Sequence, residues 1–395
     1  MKIEFSNSLK RLPKYIFASI EELKLKKKKE GIDLISLGIG DPDIPTPDFI
    51  LDEIAKELRN PKNHQYPSSN GTPEFRQAVS RWYKNRFNVI INPDTEVSHV
   101  IGGKDGVANI SRAFVDPGDY ILAPSPGYPV YQNGAAILNS AHAWVLPLTK
   151  ENNFLPDYDK IPKNIIQKAK ILYLNYPNNP IGAIADEKFL KKSIEFALEN
   201  NIIIIYDNPY SEFTFGDYIA PTILQYNGGM DCAVEINSCS KMFCMTGHRV
   251  GWVAGNAKII EGLVKVKSNI DSGGPAYIQN GVIRALDMYK SPKKPEFVEN
   301  IMKIYEQRMK YLVNRLNNMD WKVEMPKATF YLWAPLPNGE TNSMEFTKKL
   351  IEVGVVVTPG IGFGQEGEGY VRFAVTVDIN KLKQACDKIE LVIKK

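Results

Sequence analysis

Between about residues 50 and 290, short apolar runs alternate with amphipathic segments. The runs are EVSHVIGG (96–103), YILAPSP (120–126), AWVLPL (143–148), KILYLNYP (170–177), NIIIIYDNPY (201–210) and AVEINSCS (233–240). Between them, stretches such as 106–115 and 187–200 place apolar residues at the three- and four-residue intervals of a helix. Runs that are apolar at nearly every position suit strands covered on both faces. Their alternation with helices predicts an α/β fold, a mostly parallel sheet covered by helices. From about residue 291 the pattern changes. A long charged helix is expected over EFVENIMKIYEQRMKYLVNRL, then strand-like TFYLWAPL (329–336), the helix MEFTKKLIEV, strand-like GYVRFAVT (369–376) and a last helix over DINKLKQACDKIELVIKK. This predicts a large domain over 51–290 and a smaller α+β domain over 291–395, divided at Ser291-Pro292 in the charged stretch SPKKPE. Residues 1–50 show no sheet of their own and are expected to dock on the smaller unit.

A chain of 395 residues is longer than one hydrophobic core ordinarily serves, which agrees with two domains. Its 44% hydrophobic and 24% charged residues are ordinary for a globular protein. The net charge of +4 includes one dense run, Lys24 and Lys26 to Lys29, which follows Ile20, Leu23 and Leu25. That placement reads as the solvated end of an amphipathic helix, not as a surface for nucleic acid. Cys232, Cys239, Cys244 and Cys386 have no framework spacing, and only four His are present. No metal is expected, and the thiols read as structural ones in a reducing compartment. The start, MKIEFSNSLKRLPKYIF, lacks an apolar signal core, and no window reaches the length of a membrane span. The expectation is a cytoplasmic protein without membrane or nucleic-acid partners.

The chemistry gathers where the apolar runs end. Asp207 closes IIIIYD and Tyr210 follows it; AVEINSCS runs into Ser238, Ser240 and Lys241; KILYLNYP runs into Asn175 and Asn179. In an open parallel sheet, ligands bind beyond the carboxyl ends of the strands. A carboxylate, a phenol, an amide, hydroxyls and an amine on neighbouring strand ends suit a pyridine aldehyde. The carboxylate keeps a ring nitrogen protonated, the amide and phenol bond a ring oxygen, and the amine holds the aldehyde. The turn VIGGKDG (100–106) brings Gly102 and Gly103 to a helix start, where backbone N–H groups suit a phosphate, and Arg249 adds a guanidinium. Taken singly, each residue has an ordinary reading. An Asp after a strand caps a turn, a Tyr fills a core, and a Lys is solvated. Arg372, between Val371 and Phe373, is unusual on a strand unless it points into a cleft. Joint occurrence carries the argument.

The segment SCSKMFCMTGHRVGW (238–252) resembles the Schiff-base signature of fold-type I, class I/II aminotransferases. LGIGDPD (37–43), NYPNNPIG (175–182), YDNPYSEF (206–213) and EGYVRFA (368–374) agree with the same family in order and rough spacing. The resemblance covers nearly the whole chain and departs at Ile181, where the family often has Thr. It implies pyridoxal 5'-phosphate as cofactor, with catalytic Lys241 (the Schiff-base lysine), Asp207 (paired with the ring nitrogen) and Tyr210. Asn179 and Tyr210 would bond the ring oxygen, and Tyr128 would stack on the ring. Gly103, Lys104, Ser238 and Arg249 would hold the phosphate. Tyr66 would reach the phosphate of a neighbouring subunit, which implies a homodimer. Arg372 would grip the substrate α-carboxylate, and Gly40 would face it with its backbone.

The implied reaction is ping-pong transfer of an amino group from an L-amino acid to a 2-oxo acid such as 2-oxoglutarate, in amino-acid biosynthesis. LKRLPKYIFASI (9–20), HQYPSSNGTPEFRQAV (64–79), DPGDYILAPSPGYPVY (116–131) and PGIGFGQEGEGYVRFA (359–374) are most similar to the LL-diaminopimelate aminotransferase group. That likeness puts Tyr15, Lys104 and Ser272 near the substrate side chain. Asn70 departs from the group, where a Glu often precedes the Gly and meets the distal ammonium. An N-acylated or shorter donor (alanine, aspartate) therefore stays open beside LL-diaminopimelate. Two other activities share the cofactor residues: β-elimination from a cysteine conjugate, and a non-catalytic regulator. Residues 1–50 lack the helix-turn-helix that regulators of this type usually add.

Overall fold

The computed structural model describes residues 1–13 and 17–394, with 17–19 described as backbone only. Its strands, in chain order, are β1 (Ile35–Ser36), β2 (Val97–Val100), β3 (Tyr120–Ser125), β4 (His142–Pro147), β5 (Ala169–Leu174), β6 (Ile203–Asp207), β7 (Ala233–Ser238), β8 (Gly251–Gly255), β9 (Tyr331–Pro335), β10 (Val355–Val356), β11 (Thr358–Pro359) and β12 (Tyr370–Ala374).

Seven of them form one sheet in the order β2-β8-β7-β6-β5-β3-β4. The apolar runs account for β2 to β7, and the four inner pairings from β4 to β7 are parallel. β8 was not among the expected strands. It runs antiparallel to both β7 and β2, so the sheet is mostly, not wholly, parallel. Its sequence, GWVAG, is short and glycine-flanked, and its place is set by pairing that no local pattern reports.

Both faces of the sheet are covered. On one face Val100, Ile121, Ile171, Ile205 and Ile236 pack under the helices Gly103–Phe114 and Ala257–Lys267. On the other, Leu172, Ile204 and Trp252 join a larger core with Trp82 and Tyr83. That core continues into Phe330, Val371 and Phe373, so no apolar gap separates the large sheet from the smaller β11-β12-β9 sheet. In the smaller sheet Arg372 of β12 pairs with Thr358 on one side and Trp333 on the other.

The N-terminal stretch is tied to the C-terminal one by β1, which pairs in parallel with β10, Ile35 opposite Val355. The helix Phe17–Lys29 carries the lysine run, but not all of it is solvated. Lys27 is buried, with Glu352 at 2.6 Å and Glu30 at 3.0 Å, and Lys24 reaches the main cleft. The run reads as a solvated helix end only while its packing partner, the helix Ser343–Glu352, is not in view. Among the described residues, no helix is long and apolar enough to cross a membrane.

Candidate active site

Because β2, β3, β5, β6 and β7 run the same way, their carboxyl ends open on one edge of the sheet. β8 runs the other way, so its beginning lies on that same edge, with Gly251 opposite both Val100 and Ser238. This is why Arg249, two residues before β8, arrives beside loops that follow β2 and β7. A cleft of about 1130 Å³ occupies the edge, lined by Gly40, Gly103, Lys104, Tyr128, Asn179, Asp207, Tyr210, Ser238, Lys241, Arg249 and Arg372. Eleven of the residues singled out in the sequence thus line one space.

Asp207 is 5% exposed, and its Oδ2 accepts a hydrogen bond of 2.6 Å from the Tyr131 hydroxyl. Its Oδ1 is buried without a hydrogen-bond partner among the described residues. Burial pushes the carboxyl up to about 6, and the Tyr131 hydrogen bond works against that rise. The backbone is held as well: Asn175 donates from Nδ2 to the Asp207 carbonyl at 2.6 Å and accepts at Oδ1 from the Asn179 N–H at 2.8 Å. One amide side chain therefore couples the ends of β5 and β6.

Lys241 is half-buried, its Nζ donating to the Gly40 carbonyl at 2.6 Å. Burial lowers its pKa to about 8; Asp41 opposes the shift, and Arg372 and Arg249 add to it. A lysine brought near the working pH is an available nucleophile and base.

Arg372 is buried between the Tyr331 and Phe363 rings, its guanidinium 4.1 and 4.7 Å from their centroids. It donates to Asn179 Oδ1 and to the Gly38 carbonyl, both at 2.7 Å, while its Nε has no hydrogen-bond partner among the described residues. Burial lowers its pKa from the usual arginine range. The Tyr210 hydroxyl donates to the Tyr331 hydroxyl at 3.2 Å. A Cβ on Gly40 would collide with that same Tyr331 hydroxyl, so any larger residue there has to displace the Tyr331 ring.

The glycine turn has a specific reason. Gly102 has φ +108°, and a Cβ there would lie 2.3 Å from Arg249 Nη2. Arg249 donates to the Ile101 carbonyl at 2.7 Å and the Thr246 carbonyl at 2.9 Å, closing the turn at the start of the helix Gly103–Phe114. Behind the turn, buried Lys267 reaches Asp105 at 2.8 Å and Asp271 at 2.7 Å.

Four residues lie elsewhere or outside view. Tyr66 is 91% exposed and, like Asn70 and Ser272, is not among the residues lining this cleft. Tyr15 falls outside the described residues. Two cleft residues were missed by the sequence reading. Tyr131 stands three after Tyr128 in PGYPVY, a helical spacing that offered a signal. Tyr331 lies in TFYLWAPL, where nothing marks it until β9 pairs with β12.

The aminotransferase class I and II family profile matches residues 32–389. The chain belongs to that family. It is a pyridoxal-phosphate-dependent aminotransferase, moving an amino group between an amino acid and a 2-oxo acid. It is 46% identical over 388 residues to the LL-diaminopimelate aminotransferase of Aquifex aeolicus, 98% of each chain being covered. Among solved structures it is similar to substrate-bound BacF from Bacillus subtilis, with a TM-score of 0.93 and 36% identity over 99% of this chain and 98% of that one. It is also similar to a probable N-succinyldiaminopimelate aminotransferase from Thermus thermophilus, with a TM-score of 0.88 and 33% identity over 95% and 99% of the two chains. The residues present fit the cofactor: a buried carboxylate oxygen without a hydrogen-bond partner among the described residues, an amine of lowered pKa and a glycine turn closed by a guanidinium face one cleft.

Two outcomes follow from the electrostatics. The neutral fraction of Lys241 grows as pH rises through about 8, so the rate at which apoprotein takes up cofactor covalently should rise through that value. A rate that climbs only near the ordinary lysine range, above about 10, would contradict the assignment. Asp207 has a folded-state pKa above its unfolded one, so its burial costs stability increasingly as pH rises from about 4 to 6. In apoprotein, Asp207→Asn should therefore raise unfolding free energy by about 3 kcal/mol at pH 8 and about half that at pH 5. Urea titrations showing equal or lower stability for the variant at pH 8 would contradict this.

Proposed function

We propose that the donor is LL-diaminopimelate and the acceptor 2-oxoglutarate, in a ping-pong cycle carried out in the cytoplasm by a homodimer. The observation that carries this reading is the 46% identity, over 98% of both chains, to a protein named LL-diaminopimelate aminotransferase. When bound, the cofactor supplies a carbonyl that links to amines and a protonated ring that withdraws electrons from the bonds at the substrate α-carbon.

The chain's own residues do the rest. Lys241 holds the cofactor and, once released, takes the proton from the substrate α-carbon at Nζ. Asp207 Oδ1 faces the ring nitrogen. Tyr210 and Asn179 bond the ring oxygen, Asn179 through its N–H groups because its Oδ1 is held by Arg372. Tyr128 stacks on the ring. Gly103, Lys104, Ser238 and Arg249 hold the phosphate, helped by the partial positive charge of the helix start at Gly103. Arg372 grips the α-carboxylate with its uncommitted Nε and a neighbouring N–H, and Gly40 lines the same subsite. The role expected of Tyr15 beside the substrate side chain rests on the family resemblance alone.

The homodimer is supported by what the single chain leaves exposed. Tyr66 at 91%, Ile39 at 54%, Ile270 at 49% and Ile101 at 39% are all solvated here. Ile39 lines the cleft and Ile101 precedes the glycine turn, so exposed apolar side chains border the subsite that a partner's Tyr66 would reach. Within this reading, 51–290 and 291–395 remain two units, with 1–50 attached to the second through β1.

One observation favours a second donor class, an N-acylated or shorter amino acid. Asn70 carries no charge, and its Oδ1 is occupied by the Ser68 hydroxyl at 2.6 Å, with Arg76 Nη1 at 3.4 Å. Its remaining side-chain groups are N–H donors, which suit a carbonyl better than an ammonium. Glutamate formation from 2-oxoglutarate should be at least tenfold more efficient with LL-diaminopimelate than with N-succinyl-diaminopimelate, alanine, aspartate or phenylalanine. The reverse preference would contradict the proposed donor, and release of pyruvate and ammonia instead would favour β-elimination. If residue 70 meets the distal group, Asn70→Glu should raise kcat/KM for LL-diaminopimelate several-fold.

A further inference from the structure

We infer that Tyr131 is a positioning residue for the cofactor: by donating its hydroxyl to one oxygen of Asp207, it aims the other at the ring nitrogen. The inference rests on the cofactor reading of the cleft and adds a residue that neither the motifs nor the family likeness singled out.

The geometry is restrictive. The Tyr131 hydroxyl lies 2.6 Å from Asp207 Oδ2, and both side chains are buried. Oδ1 of the same carboxylate is buried, without a hydrogen-bond partner among the described residues, and Asp207 lines the cleft. The Asp207 backbone is held by Asn175, but its carboxylate can still turn about the two side-chain bonds. A donor on Oδ2 stops that rotation and leaves Oδ1 for the ligand.

Tyr131 is itself pinned. Its ring stacks on Tyr173, with centroids 4.8 Å apart and planes at 17°, and the Tyr173 hydroxyl is tied to the Val107 carbonyl at 2.7 Å. Tyr128 meets the Tyr131 ring edge-on at 5.8 Å. Tyr131 opens a single wide π-helical turn, Tyr131–Ala136, the kind of local departure that often re-aims a functional side chain.

The hydroxyl acts only as a donor over the working pH range. Burial, and then the Asp207 charge, push its ionisation far above the usual phenol value. The other titratable groups that face Asp207 are Tyr173 and Tyr210, and burial keeps both neutral as well. No cation competes with the ring for the carboxylate through these neighbours. Removing the hydroxyl leaves two unpartnered buried oxygens, so the carboxylate takes up a proton more readily and pairs less well with the ring.

The test is a double-mutant cycle on the full chain, read by equilibrium binding of pyridoxal 5'-phosphate and by the pH dependence of the bound cofactor's absorbance. Tyr131→Phe should weaken cofactor binding about tenfold or more, shift the absorbance titration, and lower kcat more than it raises KM. In an Asp207→Asn background the same change should cost less than about twofold, because the group it acts through is gone. Unchanged binding and titration in Tyr131→Phe would overturn the inference. Equal losses in both backgrounds would also overturn it, since they mark a packing role. If the unchanged protein does not bind the cofactor, the cofactor assignment falls first and this inference with it.

Discussion

In a sheet whose strands run the same way, each strand delivers its carboxyl end, and the loop after it, to one edge. That constraint places Asn179, Asp207, Ser238 and Lys241 side by side although they are far apart in the chain. The reversed strand β8 extends the rule: it starts where the others end, so Arg249 meets the Gly102 turn. The smaller sheet contributes one charged group, Arg372, which reaches the same space through its contacts with Asn179 and Gly38.

Bringing these groups together carries an electrostatic cost that the fold bears. Burial raises Asp207 and lowers both Lys241 and Arg372, so each is held against its preferred ionisation. A carboxylate oxygen and a guanidinium nitrogen are left without hydrogen-bond partners among the described residues. Such strain is typical of sites that bind a charged group of complementary pattern. A ligand with a cationic ring nitrogen and an anionic carboxylate relieves both ends at once. The aromatic walls on Arg372 serve the same purpose, since the Tyr331 and Phe363 faces accept a cation without neutralising it.

Much of this was legible in the chain before folding. Strands β2 to β7 announced themselves as apolar runs, because strands buried on both faces need side chains of one kind. Asp207, Tyr210, Ser238 and Lys241 could be placed at strand ends for the same reason. What escaped was whatever depends on pairing or packing between distant segments. β8 is bounded by glycines and owes its place to pairing with β2 and β7, which no local run reports. Tyr331 becomes a cleft residue only when β9 lies beside β12. Lys27 looked solvated because Glu352, which covers it, is more than three hundred residues away. Tyr131 was adjacent to a recognised motif, but its partner Asp207 stands at the end of β6, 76 residues away. Tyr66 and Asn70 do not line the cleft of their own chain, so no contact within the described residues bears on the part expected of them.

The central claim is that one lysine, delivered by the end of β7, anchors the cofactor. Borohydride reduction of the cofactor-loaded protein, followed by peptide mapping, tests this most directly. The account predicts a stable pyridoxyl label on the peptide that contains Lys241, with the label lost in Lys241→Ala. A label on Lys104 or another lysine, or the same extent of labelling in Lys241→Ala, would contradict it.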